Sequence, residues 1–225
     1  MHRVQKLLSN YGYCSRRKGE DLIREGRVSV NGKVIGLGDK AGMDDTIAVD
    51  GVVVRAERKR YLLFNKPVGC VTALTDRKYK TVMEYIKVKE RVFPVGRLDF
   101  NTSGLLLFTN DGDFANKVMH PRYEVKKTYL VRTKGPVHTR DLATLAKGVK
   151  LSDGMTAPAK AIALEVDLIE LTIHEGKNQI LRRMFGKLGY VVLSLERVRI
   201  GKVQLNVKPG KYRPLTKNEM KLIFE

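Results

Sequence analysis

The chain has 225 residues, with 43 Lys and Arg against 24 Asp and Glu, for a formal net charge of +19. That field exceeds the magnitude of about 2–8 that solubility asks of a small domain, and it points to a polyanionic partner, nucleic acid first. At 43% hydrophobic residues the chain can build a core, which argues against disorder. No apolar run approaches the ~20 residues needed to cross a bilayer, and the start Met1-His2-Arg3-Val4 opens no signal peptide. Trp is absent, and no long amphipathic helix pairs Lys on one face with Trp or Phe on the other, so a membrane surface is not the expected partner. Cys14 and Cys70 make no CxxC pair and no disulfide framework, as suits a reducing cytoplasm.

In chain order, Val4, Leu7 and Leu8 give a short helical stripe ending near Gly12. Ser15 can cap a second helix through Ile23, with Leu22 and Ile23 inward and Glu25-Gly26 closing it. Two alternating segments, 28–35 and 47–54, each turn on a hairpin dipeptide, Asn31-Gly32 and Asp50-Gly51. Two helices followed by two hairpins make a small α+β module over residues 1–56. Its first 33 residues hold eight Lys and Arg against three acids, and Arg16, Arg17 and Lys18 share one turn after the cap. A helix N-terminus with clustered cations can hold phosphates, although a solvated helix face would carry the same charges.

Residues 57–60 read as a polar linker. From 61 onward the pattern predicts strands at 61–65, 93–98, 104–109, 124–133, 167–174 and 191–199, with helices at 81–86, 113–120, 139–147 and 177–188. Most strands follow one another without a helix long enough for a parallel crossover, so the expected class is α+β with a mixed, mainly antiparallel sheet. Residues 57–225 carry 33 basic and 17 acidic side chains, so this larger part must also face the polyanion.

Several chemistries find no support. There is no GxxxxGK[ST] loop, and Gly36, Gly38 and Gly42 have the wrong spacing for a dinucleotide turn. His2, His120, His138 and His174 are scattered without paired cysteines, so neither a metal site nor a zinc-dependent base deaminase is indicated. No GxSxG elbow occurs. What remains is the run Gly96-Arg97-Leu98-Asp99-Phe100-Asn101-Thr102-Ser103-Gly104-Leu105-Leu106-Leu107-Phe108. An apolar strand there ends in an acid, passes a polar turn and enters a second apolar strand, which pins Asp99 between core elements. A turn aspartate making local hydrogen bonds would fit the same spacing. A second run, from His174 to Phe185, predicts a strand, a Gly turn and a helix whose buried face is Ile180, Leu181, Met184, Phe185 and Leu188. Arg182 and Arg183 flank its opposite face, where arginines can hold a carboxylate or phosphate or stand in solvent.

The stretch from Ser15-Arg16-Arg17 to Val30-Asn31-Gly32 resembles the S4 RNA-binding domain, which implies contact with structured RNA through backbone and shape. GRLDFNTSGLLLFTNDG at 96–112 resembles the signature of the RsuA/RluB-type rRNA pseudouridine synthases. Companion stretches are Asn65-Lys66-Pro67-Val68-Gly69, Lys127-Thr128-Tyr129-Leu130-Val131 and the run 175–185, where Gln179-Ile180 stand in place of the family's usual Arg-Gln. The resemblance spans nearly the whole chain. It implies an S4-like RNA-binding domain at 1–56 and a catalytic domain at 61–225 that converts uridine to its C-glycoside isomer, with rRNA or a pre-ribosomal particle as substrate, large-subunit rRNA slightly ahead. The base must leave its stack. Asp99 is then the catalytic carboxylate, Tyr129 lies against the flipped uracil, and Arg182 pairs with Asp99, with Arg183 as substitute. Arg97, Asn101, Thr102, Lys127, Lys177 and Arg183 are expected to bind substrate, and Arg16, Arg17, Lys18 and Arg27 to bind RNA from the small module. No redox change or group donor is involved, so neither a metal nor a nucleotide cofactor is expected; a monomer is. The competing reading is a non-catalytic RNA-binding or ribosome-assembly protein, with a DNA-binding helix-turn-helix protein weaker still.

Overall fold

The computed structural model describes residues 1–42 and 44–225. The chain forms two units. One comprises Met1–Arg60 with Val88–Phe93 and Thr109–Asp113; the other comprises Tyr61–Lys87, Pro94–Phe108 and Phe114–Glu225.

In the first unit, α1 (Val4–Asn10) and α2 (Arg16–Arg24) pack with a four-stranded sheet of Val28–Val30, Lys33–Val34, Ile47–Val49 and Val52–Val53. The Ser15 hydroxyl accepts the Lys18 amide at 3.1 Å, a cap worth about 1 kcal/mol. Both hairpin turns need two consecutive residues in the left-handed region, and they have them: Asn31 and Gly32 at φ +50° and +80°, Asp50 and Gly51 at +51° and +78°. Val4, Leu7, Leu8, Leu22, Ile23, Val28, Ile47 and Val49 form the core. Residues 57–60 are bound within this unit: the Glu57 amide donates to Tyr11 O at 3.2 Å, Lys59 Nζ to Asn10 O at 3.0 Å, and the Arg60 amide to Asn110 Oδ1 at 2.8 Å.

The second unit is built on a mixed sheet in the order Lys160–Ala163, Leu168–Ile173, Lys127–Thr133, Val192–Ile200, Ser103–Thr109, Tyr61–Lys66, Tyr212–Pro214. Lys127–Thr133 runs antiparallel to both of its neighbours, whereas Val192–Ile200 meets Ser103–Thr109 in a short parallel register, Glu196 with Ser103 and Arg197 with Gly104. Gly104, at φ +106°, leaves no room for a side chain, because a Cβ would lie 2.3 Å from the Arg197 carbonyl oxygen. That close approach sets the strand carrying Arg197 against the strand that follows Asp99.

Several boundaries differ from the sequence expectation. The strand expected at 93–98 is Phe93–Val95, since Gly96 at φ +79° turns the chain before Asp99. The helix expected at 81–86 is a 3-10 turn, Val82–Tyr85, with a Thr81/Glu84 capping box. Helices at 113–120 and 139–147 form as α3 (Gly112–Met119) and α4 (Thr139–Lys147). The helix expected at 177–188 is α5 (Ile180–Lys187), delayed by Gln179 in the left-handed region at φ +46°. Lys160–Ala163 and Tyr212–Pro214 are edge strands with no alternating pattern to reveal them, and α6 (Lys217–Leu222) is a short capped helix. No helix among the described residues is long and apolar enough to cross a membrane.

Candidate active site

Asp99 sits in the turn between Phe93–Val95 and Ser103–Thr109, where its carbonyl accepts the Thr102 amide at 3.0 Å. The turn is gripped from beneath by Lys66. This side chain is fully buried, and its Nζ donates to three carbonyls: Pro67 at 3.1 Å, Asp99 at 3.0 Å and Thr102 at 2.9 Å. An ammonium has three donors, so all are used. Burial pushes its pKa down, and the three carbonyls supply the polar contacts that burial removes. Thr72 adds a second brace, its hydroxyl donating to Leu98 O at 2.7 Å and accepting the Leu98 amide at 3.2 Å.

Asp99 lines a cavity of about 340 Å³ with Arg97, Thr102, Lys127, Tyr129 and Arg197, a size suited to a small ligand or a single nucleobase. Tyr129 is buried on the central strand Lys127–Thr133. Arg197 is only 3% exposed. Its Nε donates to Leu105 O at 2.7 Å and its Nη1 to the Tyr129 hydroxyl at 3.4 Å, with the guanidinium carbon 5.9 Å from the Tyr129 ring centre. Two polar atoms of this wall, Arg197 Nη2 and the Thr102 hydroxyl oxygen, are buried without a hydrogen-bond partner. A buried polar group left unmatched costs about 1–3 kcal/mol. Lys127 donates to Val125 O at 3.0 Å; burial, and secondly the charge of Arg197, push its ammonium down to about 8.

The cavity thus brings together Asp99, Tyr129, Arg97, Thr102, Lys127 and Lys177. It does not bring in the arginine pair. Arg182 is not bonded to Asp99: its Nη1 donates to Val192 O at 3.1 Å and its Nη2 to Asn101 O at 2.9 Å. Two backbone carbonyls, one of them two residues beyond Asp99, capture the guanidinium expected at the carboxylate. The substitute, Arg183, ion-pairs with Asp153 and donates to Asn178 O at 3.2 Å. The buried arginine of the wall is instead Arg197, which the sequence reading missed. A signal was present: strand alternation from Leu195 puts residue 197 on the buried face, where an arginine needs a reason.

In the first unit, Arg16, Arg17 and Lys18 are exposed on the first turn of α2, which holds no acidic residue. Arg27 is gripped by Asp50, through Nε at 2.8 Å and Nη2 at 2.6 Å, and by Glu25 at 3.0 Å, so it offers less free charge.

Comparison with known proteins identifies the family. The RNA pseudouridylate synthase family model matches residues 60–187, and the S4 domain model matches residues 2–47. The chain is 46% identical to ribosomal large subunit pseudouridine synthase B of Bacillus subtilis (strain 168), over 98% of this chain and 95% of that protein. It is 43% identical to an uncharacterized RNA pseudouridine synthase of Aquifex aeolicus (strain VF5), over 99% and 94%. A crystal structure of a pseudouridylate synthase superposes with a TM-score of 0.75 at 32% identity, over 99% of this chain and 100% of that one. Fold, cavity and small module together define an RNA-modifying isomerase joined to an RNA-binding S4 domain. The chain belongs to the RNA pseudouridylate synthase family.

Proposed function

We propose that the chain isomerises a uridine of ribosomal RNA, in the large subunit, with Asp99 as the reacting carboxylate. The observation that carries this reading is the braced Asp99 at a nucleobase-sized cavity whose wall holds Tyr129 and Arg197. The target uridine leaves its stack and enters the cavity. Asp99 acts at the ribose, as nucleophile at C1′ or as base at the 2′ position, and the N-glycosidic bond breaks. The uracil turns while the wall keeps water out, and C5 joins C1′. Tyr129 lies against the ring and is placed to help remove the C5 proton. Arg182 acts as a positioning residue, since it holds the Asn101 carbonyl of the same turn.

The rest of the reading follows from the basic surfaces. Residues 1–56 dock structured RNA through Arg16, Arg17 and Lys18, residues 61–225 carry the chemistry, and 57–60 join them. Arg97, Asn101, Lys177 and Arg183 add phosphate contacts around the target. The protein works as a monomer in the cytoplasm, on rRNA or a pre-ribosomal particle. The test is tritium release from [5-³H]uridine-labelled rRNA, free and in immature subunits. Release at one site per molecule supports the reading; tight binding without release from either substrate favours the assembly-factor alternative.

Lys127 gives a pH test. Its depressed pKa leaves the ammonium charged below about 8 and neutral above it. RNA affinity is therefore expected to fall by about tenfold as pH rises through that value, because a charge-assisted contact is lost. Filter binding across pH should show this fall, and Lys127→Arg should remove it. A flat profile in the parent would take Lys127 out of the binding set.

A further inference from the structure

The turn that carries Asp99 also carries Phe100, which is 37% exposed, and against it lies Tyr79, 43% exposed, from the loop after Lys66. Their ring centres are 5.0 Å apart, inclined at 58°. Large aromatic rings are normally used to fill cores or interfaces. Here the pair stands in the open, yet both residues are firmly held. The Asp76 carboxylate accepts the Lys78 and Tyr79 amides, each at 2.8 Å. The loop is closed by Val71 N to Lys80 O at 2.9 Å and Val82 N to Val71 O at 3.0 Å, and it is tied to the Asp99 turn by Gly69 N to Phe100 O at 3.0 Å.

Cations surround the pair. Arg77, Lys78 and Lys80 are exposed, and Lys78 Nζ lies 5.1 Å from the Tyr79 ring centre. Asp76, held ionised by these two backbone amides, offsets one of the cations, and the segment remains net positive. An apolar protein segment would gain nothing from three cations, whereas an unpaired nucleotide matches both features with a flat π face and a phosphate.

We propose that Tyr79 and Phe100 form a stacking platform for an unpaired base adjoining the uridine that enters the cavity, with Arg77 and Lys78 on its phosphate. The platform rests on the proposed function and adds a determinant of substrate choice: the target must lie in a segment whose neighbouring base is free to stack. A uridine inside continuous duplex offers no such base.

The absence of Trp makes a direct test available. Tyr79→Trp places the sole indole in the platform. Saturation with an RNA hairpin carrying an unpaired loop should quench its fluorescence, and the blunt duplex of the same stem should not. Bound hairpin without quenching, or equal quenching by both RNAs, would overturn the platform. In the tritium assay Tyr79→Leu should raise KM about tenfold with kcat within about twofold, and Tyr79→Phe should restore the parent KM. A loss of kcat at unchanged KM would make Tyr79 a brace for the Asp99 turn and would also overturn it. Absence of release by the parent protein would count against the proposed function, while the quenching comparison would still decide the platform.

Discussion

Asp99→Asn is expected to lower the rate of tritium release by more than about 10³-fold while RNA affinity stays within about twofold. The asymmetry follows from what the substitution changes. Amide and carboxylate have nearly the same shape, and the two braces on the turn, from Lys66 and Thr72, grip the backbone of residues 98, 99 and 102, which the substitution leaves in place. What disappears is the charge and the nucleophilic or basic oxygen. A positioned acid–base group alone is worth about 10²–10⁴ in rate, and a nucleophile that opens a covalent route adds to it. On the proposed function the affinity rests on many phosphate contacts, which a chain of net charge +19 can supply. Single-turnover release and filter binding on the same preparation check both halves. Comparable turnover by the variant would remove Asp99 from the chemistry, and an equal loss of affinity would reassign it to binding.

Lys66→Met is expected to destabilise the protein by roughly 3–5 kcal/mol and to lower kcat by about 100-fold. Methionine fills much of the same volume, so the effect is not chiefly a cavity. It arises because the carbonyls of Pro67, Asp99 and Thr102 lose their common donor inside the protein, at about 1–3 kcal/mol for each group left unmatched. For a chain of this size the melting temperature should fall by roughly 10 °C. The catalytic loss follows because two of the three carbonyls belong to the Asp99 turn, and small misplacements of a reacting group cost rate steeply. Thermal unfolding followed by circular dichroism measures the first effect and single-turnover kinetics the second. An unchanged melting temperature would mean that water replaces the ammonium, and full activity would mean that the turn holds itself.

Much of this was legible in the sequence because local rules dominate there. Ser15 capped α2 as expected, Asn31-Gly32 and Asp50-Gly51 took the conformations their hairpins need, and the apolar runs beside Asp99 became buried structure. The buried stripe of α5 followed its helical period from Ile180 to Phe185, whereas Leu188, expected on the same face, caps the helix and is half-buried. What was hidden depends on partners distant in the chain. Arg182 is captured by carbonyls at 101 and 192, and no spacing around residue 182 announces them. Lys66 lay just past the predicted strand 61–65 and before Pro67, where nothing in the local pattern marks it as fully buried. Arg197 lay within the predicted strand 191–199, where alternation from Leu195 marks it as buried, but its place in the cavity wall depends on pairing with Lys127–Thr133 and Ser103–Thr109, which are distant in the chain.

The close approach of Gly104 to Arg197 also sets an order of events at the ribosome that makes this protein. Asp99 and Tyr129 leave the exit tunnel well before residue 197, and the parallel register that joins the two halves of the wall exists only after the strand Val192–Ile200 has emerged. Contacts so far apart in sequence form late, since the loop between them must first be closed. On the proposed function, the basic face of α2 is synthesised first and offers its charge to RNA while the remainder is still being made. A nascent chain would then be a binder before it is a catalyst, its chemistry switched on by completion of the fold.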